Sequence, residues 1–211
     1  MTDCSNISDD GVKHLGNCHT LTLAHCVCIT DDGVKHLGNC HTLHLAGCSR
    51  ITDEGVKHLG NCHTLNLRDC SSITDDGVKH LGNCHTLTLN GCCSITDDGV
   101  KHLGNCHTLH LAGCSRIIDE GVKYLGNCHT LNLAGCNTTD EGVKHLGNCH
   151  TLNLRDCTDD GVTLSYIRHI FIYLFIYLFI YLFIYLFMFI FSCLYSHASK
   201  FQFIERFRFT F

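Results

Sequence analysis

Eighteen cysteines and eighteen histidines in a 211-residue chain carry the ligand chemistry of zinc, and Cys-His neighbours recur from Cys18-His19 through Cys40-His41 and Cys62-His63 to Cys149-His150. A structural zinc site closes a tetrahedron from two separated ligand pairs. Here the pairs repeat uniformly, so no set is distinguished from the next. Cys26-Val27-Cys28 and Cys92-Cys93 depart from the pattern but are too few to complete a site. Cysteine is expected to face the interior and the adjacent histidine to face out, which splits each pair. No metal or other cofactor is expected.

Nucleophilic and acid–base chemistry meets the same objection. Ser, His and Asp are abundant, yet each occupies a repeated position, whereas an active site needs one convergent constellation. The paired acids Asp31-Asp32 and their equivalents are accounted for by helix-start electrostatics. The expectation is a chain that is not an enzyme.

What must position these residues is a repeat. GVKHLGNC recurs at Gly11, Gly33, Gly55, Gly77, Gly99, Gly121 (with Tyr124 for His) and Gly142. A fixed period of this size means short units that bury their apolar faces only by stacking. The chain divides into an array over residues 1–163, of about seven 22-residue units, and an apolar tail over 164–211. Residues 1–163 hold 19 acidic and 11 basic side chains, and the tail holds one and four. An acidic array lacks the basic stripe that nucleic acid requires, so no nucleic-acid partner is expected. Cysteine locked to the repeat phase behaves as a small buried hydrophobe. The start MTDCSNISDD lacks a secretory signal. Together these point to a reducing cytoplasm or nucleus.

One unit, Cys40 to Asn61, reads as follows. Thr42-Leu43-His44-Leu45-Ala46 alternates with the period of a strand, Leu43 and Leu45 inward, and stacking makes a parallel sheet. Cys48 marks the turn inward, where its side chain can serve backbone groups, and Ile51 fills the core. Thr52 is an N-cap ahead of Asp53 and Glu54. Val56 and Leu59 face the core, Lys57 and His58 face solvent, and the helix runs two turns at most. Gly60 and Asn61 are expected to stop it in the left-handed conformation.

The pattern C-x-x-L-x-L-x-x-C-x-x-I-T-D-x-G-V-x-x-L resembles the cysteine-containing leucine-rich repeats of F-box substrate-recognition proteins over roughly residues 3–162. The resemblance implies an α/β solenoid: a parallel β-sheet on the concave face, short helices or 3-10 turns on the convex face. It also implies non-catalytic protein binding, as the substrate-recognition arm of an SCF-type ubiquitin-ligase adaptor. No F-box is read in this sequence, and since Asp3-Cys4 stands in the phase of Asp69-Cys70, the array is expected to start in mid-repeat without a cap.

Comparing repeats locates the variation. Between the two leucines stand Thr22, His44, Asn66, Thr88, His110, Asn132 and Asn153. After them come Arg68, Asn90 and Arg155 where other repeats have alanine. Both positions belong to the concave face, where a protein ligand is expected. Part of the variation follows a duplicated three-repeat block, since HLAGCSR at 44–50 returns at 110–116.

Residues 170–191 are all apolar or tyrosine and, as a helix, would be about 33 Å long: a candidate transmembrane segment, and a route to a membrane for the whole chain. Phe-Ile-Tyr-Leu repeats in strict period four from Phe171 to Leu186, which is also what a repeated TTTA tetranucleotide encodes. Two alternatives to the adaptor reading follow. One is a membrane-tethered repeat protein, the other a fragment of an expanded repeat locus.

Overall fold

The computed structural model describes residues 6–157. Each period contributes one three-residue strand and one single-turn helix. The strands are β1 (Thr20–Thr22), β2 (Thr42–His44), β3 (Thr64–Asn66), β4 (Thr86–Thr88), β5 (Thr108–His110), β6 (Thr130–Asn132) and β7 (Thr151–Asn153). They form one parallel sheet in chain order, and the register is that of the repeat: Leu21 lies beside Leu43, Leu43 beside Leu65, and so on to Leu131 beside Leu152. Parallel neighbours need a crossover between them, and here the whole remainder of each period supplies it.

The helices, α1 (Asp9–Val12), α2 (Asp31–Val34), α3 (Asp53–Val56), α4 (Asp75–Val78), α5 (Asp97–Val100), α6 (Asp119–Val122) and α7 (Asp140–Val143), are four residues each, with a 3-10 turn at Lys144–Leu146 after the last. The threonine N-cap is as expected from sequence: Thr52 is extended and its hydroxyl accepts from Glu54 N–H. One turn suffices because the interior, not helix propensity, holds the segment.

That interior is continuous. Leu43, Leu45, Cys48, Ile51, Val56 and Leu59 of one repeat are fully buried, as are their equivalents through Leu125. Toward the ends of the described array the same positions (Leu15, Cys18, Leu21, Leu152, Leu154) are only partly buried, which is the expected behaviour of units that cover one another.

Cysteine fills two files in this core. Cys48 Sγ donates to the carbonyl of Leu23 in the preceding repeat at 3.2 Å, and Cys70, Cys92, Cys114 and Cys136 do the same to Leu45, Leu67, Leu89 and Leu111 at 3.3 Å. The thiol thus adds a bond across the junction to a carbonyl that already accepts a backbone N–H in its own repeat, and Cys70 also reaches the Arg68 carbonyl of its own turn at 3.8 Å. Burial pushes Cys62 up to about 11 and Cys70, Cys84 and Cys92 up to about 12. These thiols stay protonated and unreactive at neutral pH.

Two sequence expectations change. Gly60 and Asn61 are not left-handed; positive φ occurs instead in the turn after the strand, at Gly47, Gly91, Gly113 and Gly135 and at His25, Asp69 and Asp156. Gly60 is small for another reason: a Cβ there would run into the backbone carbonyl of His80 in the next repeat. The first acid of each pair also does more than complement a helix end. Asp53 accepts from Thr74 N–H at 2.8 Å and from its hydroxyl at 2.6 Å, tying α3 to the cap of α4. The glycine of the next helix makes room for that carboxylate, since a Cβ on Gly77 would collide with it. The second acid is solvent-facing and pairs with the lysine three residues on, as Glu54 does with Lys57.

The candidate span 170–191 lies outside the described residues. Among those described, no helix is long and apolar enough to cross a membrane.

Candidate binding surface

The in-register sheet decides where the varied positions go. Thr22, His44, Asn66, Thr88, His110, Asn132 and Asn153 are successive partners in the ladder, so they form one file across the seven strands. Thr22 and Asn153, at the two ends, are exposed and the rest are half-buried, between leucines that are buried on either side. Arg68, Asn90 and Arg155 stand two residues past the ends of β3, β4 and β7. Seven of the ten residues singled out from sequence therefore lie in the sheet, and three border it.

Their hydrogen bonds show what is left to offer. The side-chain oxygens of Asn66, Asn132 and Asn153 accept from the backbone N–H two residues on, at 3.0, 3.0 and 3.1 Å. Asn90 accepts from Ala112 N–H in the next strand at 2.8 Å. Each amide oxygen accepts one backbone N–H, which fixes the side chain and leaves its NH2 as a donor. Arg68 and Arg155 are not free cations. Their guanidinium groups contact Asp69 at 3.1 Å and Asp156 at 3.2 Å, the two aspartates that take the left-handed turn position filled by glycine in other repeats. His110 is held below the ordinary imidazole value by burial and is neutral at pH 7.

The histidines that follow the cysteines face outward, as the sequence implies, but they also stack on one another, which reading one repeat did not anticipate. From His19 to His150 the histidines that begin the strands stack ring on ring, centroids 4.5 Å apart and 4.7 Å at the last step, planes within 20°. Nδ1 of His41 lies 3.3 Å from the hydroxyl of Thr42, and the next rungs repeat that contact. The signal was present, because an in-register parallel sheet superposes any residue that recurs at the repeat period. Among the described residues no three His, Cys, Asp or Glu side chains gather around a common point.

A family profile described as Leucine Rich repeat matches residues 41–60 and 63–82, and the seven-stranded parallel sheet gives the whole described array the same architecture. The array is a leucine-rich-repeat solenoid. Solved leucine-rich-repeat-like folds agree. A chain of the yeast Rad7–Elc1 complex matches with a TM-score of 0.56 at 19% identity, over 64% of this chain and 42% of that one. An internalin, InlF, from Listeria monocytogenes matches with a TM-score of 0.50 at 16% identity, over 68% and 43%. At such identities the likeness is one of fold, and this chain spans less than half the length of either. No curated protein sequence matches. Within the leucine-rich-repeat frame, Cys48 and its equivalents occupy the Asn/Cys position of the general pattern.

Proposed function

We propose that the repeat array is a non-catalytic protein-recognition scaffold that binds its partner on the exposed sheet face. The observation that carries this reading is the distribution of change. Residues that hold junctions together hardly vary, whereas the file from Thr22 to Asn153, with Arg68, Asn90 and Arg155 beside it, changes from repeat to repeat. Solenoids use such faces for binding. The amides and hydroxyls of the face can both donate to and accept from a polar partner surface.

The finer reading is that of the substrate-recognition arm of an SCF-type ubiquitin-ligase adaptor. It rests on the resemblance of the cysteine-containing motif to the repeats of F-box proteins, with the F-box supplied by another segment or another protein. A membrane-tethered version of the same scaffold is the second reading, and residues 170–191 support it by composition alone.

Proximity labelling with the full chain in cells separates these readings. The triple variant His44→Ala, Arg68→Ala, His110→Ala is expected to lose neighbours that the wild type labels. A triple variant on the helix side, Lys35→Ala, Lys57→Ala, Lys79→Ala, is expected to keep them. Equal labelling by both variants contradicts binding on the sheet face. Cullin-RING components among the lost neighbours support the adaptor role, and their absence removes it. Complete release of the chain by alkaline carbonate eliminates the tether.

A further inference from the structure

The stacked histidines are a continuous feature of the described array that neither its core nor its proposed binding file uses. They are not a metal site. The in-plane lone pairs of parallel rings run side by side instead of converging on one ion, and no ligand cluster exists among the described residues. They are also too uniform to be an active centre. What distinguishes them is that a titratable group meets its own kind at every junction.

We propose that this histidine ladder is a pH-sensitive clamp on the solenoid: neutral rings close successive repeats along the strand starts, and protonated rings drive them apart. The geometry carries the inference. Each inner ring is sandwiched between two others at 4.5 Å, a separation at which imidazolium charges repel directly. Nothing nearby neutralises them. On the Nδ1 edge stands a threonine hydroxyl, and just before each ring in the chain comes a cysteine; at Cys62 and Cys84 burial keeps the thiol protonated. Among the described residues no ion pair involves a ladder histidine. Desolvation, and then the charge of adjacent rings, lowers His41, His85 and His129 below the ordinary imidazole value.

The sign follows from linkage. A histidine whose folded pKa is depressed takes up its proton more readily when unfolded. Its stabilisation is therefore present above about pH 6.5, the unfolded value, and is lost as pH falls toward the folded value. Because every junction has such a contact, the loss acts along the whole array.

The test is urea unfolding of the full chain, held in a non-ionic detergent, between pH 8 and pH 5. The wild-type midpoint is expected to fall steadily through this range. The ladder variant His41→Gln, His85→Gln, His129→Gln is expected to lose most of that fall. A control in the helix-side histidines, His36→Gln, His58→Gln, His80→Gln, is expected to retain it. A ladder variant that keeps the wild-type slope, or a control that loses as much, overturns the proposal. Side-chain NMR titration of the unsubstituted chain decides the matter if the variant fails to fold: coupled rungs give Hill coefficients below one, and independent titration of every rung with unit slope overturns the clamp.

Discussion

The junctions between Asp31 and Thr96 and the two junctions that follow do the same job with different residues. In the regular stretch a carboxylate takes both donors of a threonine cap, as Asp75 does from Thr96 N–H at 2.8 Å and its hydroxyl at 2.6 Å. At the next junction the cap is Ile118. Asp97 keeps only the backbone donor, at 2.9 Å, and burial now raises its carboxyl above the ordinary value, while Ile118 itself is left exposed. One repeat later the period shortens by one residue, and Thr138 takes the place of the buried isoleucine seen at Ile51, Ile73, Ile95 and Ile117. Its hydroxyl is buried without a partner. The second of these junctions keeps both cap bonds, from Thr139 N–H at 2.8 Å and its hydroxyl at 2.5 Å to Asp119. The irregular stretch thus loses one cap bond at Ile118 and one apolar core side chain at Thr138, while the glycine contact and the leucine core persist.

Breaking the regular stretch has the largest expected effects. Gly60→Ala drives a methyl into the His80 carbonyl, where backbone cannot yield as a flexible side chain would. A loss of about 3 kcal/mol is expected, read as a fall in urea midpoint. Asp53→Ala strands the Thr74 donors and is expected to cost about 2 kcal/mol. Asp97→Ala is expected to cost visibly less, because its cap has no hydroxyl to abandon. Equal losses at the two aspartates contradict the role given to threonine.

Repairing the irregular stretch tests the same contrast with smaller gains. Thr138→Val removes the orphan hydroxyl at nearly constant shape and is expected to stabilise by about 1 kcal/mol. Ile118→Thr restores a capping side chain, with a gain of about 1 kcal/mol or less. It has a second readout in the pH profile. A carboxylate whose folded pKa is raised contributes stability at low pH that is lost as pH rises through that value. Ile118→Thr is expected to lower the Asp97 titration, measured by NMR, and to remove that loss.

How much of this was legible in the sequence follows from where each cause lies. The strand at Thr42–His44, the cap at Thr52 and the inward pair Val56 and Leu59 are dictated within one repeat by alternation and residue type, and reading one repeat suffices. Seven of the ten varied residues fell in the sheet, and the other three at its border, for the same reason. Gly60, Asp53 and the ladder histidines were misread or missed because their causes lie one period away: a carbonyl, a threonine and another imidazole. Only the register of stacked repeats brings these together. The glycine at position 47 had its own sequence signal, because aspartate or histidine replaces it at Asp69, Asp156 and His25, as left-handed turns favour.

A shared interior built from leucines and reduced thiols is tested most directly by native-state thiol labelling of the full chain, read by mass spectrometry. Exposed Cys93 is expected to react first, while Cys48, Cys70, Cys92, Cys114 and Cys136 resist until urea unfolds the array and then all label. Rapid native labelling of those five, or their failure to label in urea because they are oxidised to disulfides, would contradict the account.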